Sequence, residues 1–254
     1  MDKPGAPATG VSVALAAYNG ARYIEAQLRS ILEQLEPYDE VVVVDDASTD
    51  ATAATIAALN DPRVRLLANP RNLGVVASFE RALAATRGDP IFLSDQDDLW
   101  LPGKRAACCA AFAADPAATL VHSDAEIIDG AGRVVAPSYM RLRGGFDGGL
   151  ATTVVKNRYL GCAMAIRRSL LEAALPFPTG VPMHDLWLGT VNAVIGRTVY
   201  LDRPLLQYRR HGGNVSLARH GTLPDMLHRR FALLRALALR APLLWRRRRR
   251  RGGV

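Results

Sequence analysis

Three short apolar runs, each followed by a polar cluster, constrain the fold of this 254-residue chain. The runs at 11–17, 40–44 and 91–93 have the composition of buried parallel strands, and segments with helical apolar spacing separate them. This alternation predicts an α/β fold, a doubly wound, mostly parallel sheet with helices on both faces. Ligands bind such sheets at the carboxyl ends of the strands. The polar clusters fall at those ends: Tyr18-Asn19, Asp45-Asp46 and Asp95-Gln96-Asp97-Asp98.

The acidic cluster after the run at 91–93 indicates a cation site. Carboxylates bunched at a strand end repel one another, which suits a site where a positive charge sits between them. Asp95 and Asp97 are two residues apart, so on an extended backbone they can reach the same side. Their oxygens suit Mg²⁺ or Mn²⁺. The alternative is an acidic turn that caps the following helix.

The second half of the chain predicts a less regular arrangement within the same domain. We expect one domain over 9–217, with halves 9–100 and 101–217, after a disordered start at 1–8. A Gly- and Arg-rich stretch at 137–157 has no clear period and predicts a mobile loop. The other predicted elements are helices at 104–114, 167–175 and 186–195, a strand at 119–123, two short strands within 126–135, and further strands at 160–166, 198–201 and from 205.

The basic charge is concentrated in the tail, residues 218–254. The net charge is +8, and residues 219–254 contain eleven Arg and one acid, or +10, which leaves −2 for the rest. Apolar and Arg residues alternate there in a broadly amphipathic pattern that Pro242 kinks or ends, and Trp245 precedes the run Arg246–Arg251. We expect a helical tail that binds an anionic membrane surface. Alternatively, the helix packs on the body and the Arg run is solvated.

The cysteines and the amino-terminal sequence favour a cytoplasmic location. Cys108, Cys109 and Cys162 have no metal-ligand spacing, and idle thiols are typical of a reducing compartment. The first residues lack the apolar core of a signal peptide, and no apolar run is long enough to span a bilayer. Together with the tail, this predicts a protein peripheral to the inner face of the cell membrane.

Several motifs together resemble family 2 glycosyltransferases, which adopt the GT-A fold and use nucleotide-diphosphate sugars. The resemblance covers about residues 9–217. Its motifs are Val43-Val44-Asp45-Asp46-Ala47-Ser48-Thr49-Asp50, Asn72-Leu73-Gly74, Asp95-Gln96-Asp97-Asp98-Leu99-Trp100, His184-Asp185-Leu186-Trp187 and Tyr208-Arg209-Arg210-His211-Gly212-Gly213-Asn214-Val215-Ser216. The set is most similar to the rhamnosyltransferase-like branch.

The resemblance implies a role for each matching residue. Asp185 would be the catalytic base, and Asp97 with His211 would bind the metal. Since Gln96 is neutral, the second acidic partner is Asp95 or Asp98. The implied nucleotide-binding residues are Ala17, Tyr18, Asn19, Asp46, Asn72, Gly74, Asp95 and Gln96. The implied diphosphate or acceptor contacts are His184, Trp187, Arg209 and Arg210. A helix cap at Asp46 or Asp185 and a solvated basic loop at His211 are the alternatives.

The implied function is that of an inverting, metal-dependent hexosyltransferase. It would move L-rhamnose or another 6-deoxyhexose from a dTDP- or UDP-sugar to a hydroxyl of a saccharide or lipid-linked glycan in cell-surface polysaccharide synthesis. One alternative is a nucleic-acid-binding protein that uses the Arg-rich tail. The near-neutral body and the lack of spaced aromatic residues in the tail argue against it, so we expect no nucleic-acid partner. Another alternative is a GT-A-like nucleotide-binding domain without transferase activity.

Overall fold

The structure, a computed structural model, describes residues 10–212 and 222–251. The predicted disordered start at 1–8 lies outside the described residues, as do Asn214 and Ser216 of the last motif and residues 218–221 of the tail. The strands are β1 (Ser12–Ala17), β2 (Glu40–Asp45), β3 (Val64–Ala68), β4 (Ile91–Asp95), β5 (Leu99–Trp100), β6 (Leu120–Ile128), β7 (Val134–Ala136), β8 (Met164–Ile166) and β9 (Thr198–Arg209). The helices are α1 (Ile24–Leu32), α2 (Thr52–Ala58), α3 (Val75–Ala85), α4 (Lys104–Ala114), α5 (Tyr139–Arg143), α6 (Leu150–Val155), α7 (Arg168–Ala174), α8 (His184–Ile195) and α9 (Leu223–Arg251).

One sheet of nine strands runs through the described part of the chain, in the order β3-β2-β1-β4-β8-β6-β9-β5, with β7 beside β6. The strands β3, β2, β1 and β4 are parallel, as the alternation of apolar runs predicts. Beyond β4 the sheet is mixed: β8 is antiparallel to β4 and β6, and β9 is parallel to β6 but antiparallel to β5. The first half of the sheet is thus parallel throughout, as predicted, and the second half combines parallel and antiparallel pairs.

Apolar layers on both faces of the sheet hold it in place. Successive strand side chains point to opposite faces, so Val41 and Val43 pack towards α1 and α2 while Val42 and Val44 pack towards α3 and α8. Both faces must be covered because these strands are apolar on both sides. The layer over α3 and α8 includes residues from both halves of the chain, so the described residues fold around a shared core.

Several parts of the second half differ from the sequence-based prediction. The predicted strand at 160–166 is a 3₁₀ helix, Gly161–Ala163, followed by β8, and the predicted strand at 119–123 continues to Ile128 as β6. The stretch at 137–157, predicted as a loop, contains the short helices α5 and α6. The side chain of Ser138 caps α5 by accepting a hydrogen bond from the backbone N–H of Arg141 at 3.0 Å. The strands predicted separately after 198 and 205 form the single strand β9. Helices of five or six residues have too few turns to show a period, which explains why the sequence did not predict them.

The basic tail is part of the fold rather than a separate appendage. The helix α9 continues through Pro242 and packs on α8 and α6, where Leu233, Ala236 and Leu244 are buried. The guanidinium of Arg240 donates to the backbone carbonyls of Leu175 and Pro176. The described part of α9 thus packs on the body, as the alternative interpretation expected, and membrane binding stays a prediction. No helix among the described residues is long and apolar enough to cross a membrane.

We predict that docking of α9 stabilises the whole domain. Leu233 is 0% exposed and Leu239 on the same helix is 70% exposed, so the two offer a matched pair for one substitution. Leu233→Ala should lower the free energy of unfolding by about 2–5 kcal/mol, because it leaves a cavity in the core. Leu239→Ala should change it by no more than about 0.5 kcal/mol. Urea denaturation measures both, and equal effects would show that α9 does not dock as described.

Candidate active site

A cleft of about 410 Å³ lies at the carboxyl ends of β1, β2 and β4, facing the amino end of α8. It therefore lies where the polar clusters predict a ligand site. Ten of the predicted site residues line it: Ala17, Tyr18, Asp46, Asn72, Gly74, Asp95, Gln96, Asp97, His184 and Asp185. The other lining residues are Ala16, Val75, Ser78, Leu160, Gly161, Met183 and Tyr208.

Asp46 organises one wall of the cleft. Its carboxylate accepts hydrogen bonds from the backbone N–H groups of Leu73 and Gly74, both at 2.8 Å, and from Asn69 Nδ2 at 2.7 Å. Burial alone would raise the pKa of Asp46, because it disfavours the charged carboxylate. The hydrogen bonds together have the larger effect and hold the pKa below its usual range. Gly74 has φ +86°, which a residue with a side chain rarely adopts. Asp46 therefore fixes the loop that presents Asn72 to the cleft.

The side-chain amide of Gln96 makes two hydrogen bonds with the backbone of Tyr18. Its Oε1 accepts from the Tyr18 N–H at 2.8 Å, and its Nε2 donates to the Tyr18 carbonyl at 3.0 Å. A Cβ at Gly20 would lie 2.2 Å from Gln96 Oε1, so this close approach requires glycine there. The Tyr18 side chain is 44% exposed and borders the cleft. Gln96 thus joins the end of β1 to the turn after β4.

Asn19 does not line the cleft, contrary to its predicted nucleotide contact. Its Oδ1 accepts from the Thr49 N–H at 2.8 Å, and its own N–H donates to Ser48 Oγ at 2.9 Å. These bonds tie the turn after β1 to the turn after β2. The structure therefore assigns Asn19 a positioning role between two loops.

The acidic cluster separates into a cleft-facing pair and a buried third carboxylate. Asp95 and Asp97 line the cleft, whereas Asp98 is only 1% exposed and accepts from the Arg209 N–H at 2.9 Å. Asp95 therefore shares the cleft with Asp97, whereas the donor atoms that lie within 4.8 Å of its own are those of Asp98 and Cys162. Burial and the neighbouring Asp charges raise the pKa of Asp95 well above its usual value and that of Asp98 to about 7. Nearby positive charge therefore does not compensate the negative charge of these carboxylates.

His211 lies against Asp97, as the motif implies. Its Nε2 is 2.8 Å from Asp97 Oδ2, and its ring packs 5.1 Å from the ring of Tyr23. Both Mg²⁺ and Mn²⁺ bind carboxylate oxygens. A set that also contains an imidazole nitrogen suits Mn²⁺ better than Mg²⁺. Asp97 and His211 therefore offer two donors that fit a divalent cation, and Asp95 lines the same cleft as Asp97.

Cys162 lies beside the acidic cluster, which its sequence spacing did not indicate. A donor atom of Cys162 lies within 4.8 Å of carboxylate oxygens of Asp95 and Asp98. Burial raises the pKa of this thiol, and a protonated thiol is a poor ligand for hard cations. The buried ammonium of Lys104 donates to the Cys162 carbonyl at 2.5 Å. Cys162 thus contributes to the floor beneath the cluster.

Arg209 ties the cluster to the end of β9 instead of facing a ligand. Its Nε donates to the Asp97 carbonyl at 2.7 Å, and its guanidinium carbon lies 4.8 Å from the centre of the Tyr23 ring. The side chain is 6% exposed and does not line the cleft. This corrects its predicted contact with the diphosphate. Arg210 is exposed, and its backbone N–H donates to the Ile128 carbonyl at 2.8 Å.

Asp185 occupies the first turn of α8, at the edge of the cleft. Its Oδ1 accepts from the Leu186 N–H at 2.6 Å, and its Oδ2 accepts from Asn157 Nδ2 at 3.2 Å. Burial raises the pKa of Asp185 to about 6. The residue that precedes the helix is Met183, whose side chain makes no capping bond, so Asp185 is not the residue that caps α8. A carboxylate with this pKa can accept a proton near neutral pH.

His184 presents a neutral imidazole to the cleft. It is 3% exposed and stacked on Phe79 at 3.8 Å, and burial lowers its pKa to about 3. Neither ring nitrogen has a hydrogen-bond partner among the described residues. A Cβ at Gly161 would lie 2.9 Å from His184 Nε2, so glycine keeps the space beside this nitrogen open.

Trp187 belongs to the core, which corrects its predicted contact with diphosphate or acceptor. It is 0% exposed, and its indole Nε1 donates to the Ala174 carbonyl at 3.0 Å. The sequence-based prediction also missed Asn157, Gly161 and Tyr208. Asn157 and Gly161 lie in stretches predicted as a loop and a strand, and no sequence signal distinguishes them. Tyr208 belongs to the quoted motif, so that motif could have indicated it.

Comparison with known proteins identifies relatives that match parts of this chain. The succinoglycan biosynthesis protein ExoO of Rhizobium meliloti (strain 1021) is 45% identical over 94 residues, which are 37% of this chain and 27% of that protein. The chain spans 27% to 66% of the length of the first curated relatives it matches.

Solved structures support the GT-A fold. The S. aureus TarS fragment 1–349 in complex with UDP-GlcNAc has a TM-score of 0.69 at 20% identity, over 91% of this chain and 66% of that chain. The mannosyltransferase PcManGT of Pyrobaculum calidifontis, in complex with GDP-Man and Mn²⁺, has a TM-score of 0.60 at 21% identity, over 94% and 74%. The sequence-based prediction of the fold is confirmed.

The family profile described as Glycosyl transferase family 2 matches residues 12–175, more than half of the chain. This match includes the turns after β1, β2 and β4 that build the cleft, together with Gly161. It confirms the family that the motifs resemble. The chain belongs to glycosyl transferase family 2.

Proposed function

We propose that this protein is an inverting hexosyltransferase that transfers a sugar from a nucleotide diphosphate to an acceptor hydroxyl. The observation that carries the proposal is the position of Asp185, which has a pKa of about 6, in the same cleft as Asp46 and Asp95. A hydrolase would need two carboxyls flanking the bond and no nucleotide site. The loop held by Asp46 instead presents the amide side chain of Asn72 to the cleft, which suits a nucleobase.

The reaction requires a base and a single displacement. The Asp185 carboxylate accepts the proton of the acceptor hydroxyl as its oxygen bonds to the anomeric carbon. The bond from that carbon to the diphosphate oxygen breaks on the opposite face, and the diphosphate leaves with the electron pair. One displacement inverts the anomeric centre. The first turn of α8 favours the negative charge of Asp185, because a helix amino end carries partial positive charge.

A divalent cation, Mg²⁺ or Mn²⁺, is the cofactor we propose. Asp97 and His211 would hold it, because their side chains lie 2.8 Å apart, and Asp95 would join them from the same cleft as Asp97. When bound, such an ion neutralises charge on a diphosphate leaving group. The Mn²⁺ named with the solved mannosyltransferase supports this choice. Asp98 and Cys162 are left out, since Asp98 does not face the cleft and Cys162 is a protonated thiol.

His184 is proposed to bind a hydroxyl group of the donor or acceptor sugar. A neutral imidazole offers one donor and one acceptor, which matches a hydroxyl better than a dianionic phosphate. Its nitrogens have no partner among the described residues, and Gly161 leaves room beside Nε2. Arg210 is exposed at the end of β9 and would serve the diphosphate as a cation.

For the donor we propose a dTDP- or UDP-linked 6-deoxyhexose, with dTDP-L-rhamnose first. The motifs Asp95-Gln96-Asp97-Asp98-Leu99-Trp100 and His184-Asp185 support that choice. The proteins of similar fold bind UDP-GlcNAc and GDP-Man, so the fold alone admits several donors. The acceptor would be a saccharide or lipid-linked glycan of a cell-surface polysaccharide, as the name of the succinoglycan relative suggests. The reaction would then take place at the inner face of the cell membrane.

A screen of nucleotide sugars tests the function. With Mn²⁺ or Mg²⁺, the protein should bind and turn over dTDP-rhamnose better than UDP-glucose or UDP-N-acetylglucosamine. Asp185→Asn preserves size but cannot accept a proton, so turnover should fall by about 10² or more while donor binding is retained. Efficient use of UDP-glucose with dTDP-rhamnose inert would exclude the rhamnosyl proposal. Nucleotide binding without turnover of any donor would favour a binding domain without activity.

The pH dependence of turnover tests the base separately. Because burial holds the pKa of Asp185 at about 6, kcat should fall about tenfold per pH unit below that value as the base becomes protonated. The hydrogen bond from Asn157 favours the charged carboxylate, so Asn157→Ala should move the fall to higher pH. Val155→Ala, at an exposed neighbouring position, is the control and should leave the profile in place. An unchanged profile in Asn157→Ala would mean that another group is the base.

Metal dependence of nucleotide binding tests the acidic edge. Asp97→Ala should weaken UDP or dTDP affinity with Mn²⁺ present and leave the metal-free affinity nearly unchanged, because the carboxylate acts through the ion. Asp61→Ala, which removes a half-buried ion pair with Arg63 between α2 and β3, outside the cleft, is the control. Titration calorimetry with and without Mn²⁺ measures both. Equal affinities of Asp97→Ala and the unchanged protein with metal present would remove Asp97 from the site.

A further inference from the structure

The helix α9 has an apolar surface that the body does not cover. Leu233, Ala236 and Leu244 are buried against α8 and its neighbours. Elsewhere around the helix an exposed line follows the spacing i, i+4, i+7, i+11, i+14, i+18, which is one continuous stripe on a helix. We call it the outer stripe, and its residues are Leu227, Phe231, Leu234, Ala238, Ala241 and Trp245.

The outer stripe is unusually exposed for residues of this type. Leu227 is 62% exposed, Phe231 67%, Leu234 49% and Trp245 54%. Single exposed apolar side chains are normal on a protein surface, but a contiguous line of them marks an interaction site. From Leu227 to Trp245 the stripe extends about 27 Å at the helical rise of ~1.5 Å per residue. It is therefore long enough to act as one extended contact.

Positive charge accompanies the stripe along its whole length. The helix contains ten Arg and one acid, Asp225, or +9. Exposed Arg235 and Arg246 lie about 40 to 140° around the helix from the stripe residues at ~100° per residue. Beyond them a groove of about 650 Å³ separates α9 from the loop Pro176–Thr179 and is lined by Arg240, Arg246 and Arg247. Guanidinium groups beside apolar side chains are the chemistry that an anionic lipid headgroup and its acyl chains require.

We propose that α9 docks the protein on an anionic membrane surface through the outer stripe, with its Arg residues at the headgroups. This proposal deepens the membrane location proposed for the reaction and names the surface responsible. Trp245, with an apolar ring and a polar N–H, lies where the stripe meets the Arg run 246–251 and suits the membrane interface. A second copy of the chain fits less well, because two helices of charge +9 would repel each other.

The docked geometry connects the membrane surface to the cleft. The Arg230 guanidinium donates to the Val155 carbonyl at 2.7 Å, and Asn157, two residues further on, donates to Asp185. Val155 is itself 74% exposed at the end of α6, so it extends the apolar surface next to α9. The helix α9 also packs on α8, which carries His184 and Asp185. A membrane bound at the outer stripe would therefore lie near the acceptor side, where a lipid-linked glycan would enter.

Co-sedimentation with vesicles tests the proposal on the full chain. Phosphatidylcholine vesicles with phosphatidylglycerol should pellet the protein at low salt, and phosphatidylcholine alone should pellet little of it. The double variant Phe231→Glu with Leu234→Glu should lower the partition coefficient about tenfold or more, because it places two charges in the apolar contact. The matched control, Val134→Glu with Val135→Glu, alters two valines of similar exposure on β7 and should bind as the unchanged protein does.

A second pair of measurements separates the alternatives. Arg235→Glu with Arg246→Glu should weaken binding to anionic vesicles and reduce its salt dependence, whereas apolar insertion alone would leave both unchanged. Nucleotide binding by each variant shows that the cleft is intact, so failure of membrane docking is distinguishable from failure of the proposed transfer. The proposal is overturned if the unchanged protein does not pellet, if it pellets equally on both lipids, or if the stripe variant binds normally. Dimerisation that the stripe variant abolishes, without vesicle binding, would assign the stripe to a second copy.

Discussion

The cleft depends on hydrogen bonds between the turn after β4 and the end of β9. Arg209 donates from its backbone N–H to Asp98 Oδ1 at 2.9 Å and from Nε to the Asp97 carbonyl at 2.7 Å. These residues are more than a hundred positions apart in the chain. Their contact places His211 at Asp97 and joins the parallel half of the sheet to the mixed half. The geometry of the acidic edge is therefore a property of the folded domain and of no single motif.

Electrostatics gives that edge its chemistry. Burial and mutual repulsion raise the pKa values of Asp95 and Asp98, and burial raises that of Asp185. The buried Lys104 supplies one positive charge nearby and lowers the pKa of Asp98, which opposes the larger effect of burial. One ammonium does not neutralise this group of carboxylates. Like-charged groups held together at a cleft destabilise a fold unless a ligand relieves them, which is the physical basis for proposing a divalent cation there.

The sequence predicts the backbone of the first half better than the direction of individual side chains. The strands β1, β2 and β4 lie where local apolar runs indicate, and parallel pairing brings their polar ends together. The direction of a side chain depends on its position around the helix or along the strand that carries it. On α8, Trp187 is two residues from Asp185, or about 200° around the helix, so the two side chains face opposite ways. Asn19 and Arg209 likewise occupy motif positions, but contacts distant in sequence turn them towards other loops.

The helix α9 shows which part of the tail prediction needs the structure. The amphipathic pattern and the charge of +9 predict a basic helix, but they do not show which side of the helix the body covers. Leu233, Ala236 and Leu244 fix one side of the helix to the core, and the outer stripe occupies another. A flexible polybasic tail would tether the enzyme without orienting it. Because α9 is packed on α8, attachment through the outer stripe would hold Asp185 and the cleft at a defined orientation to the bilayer.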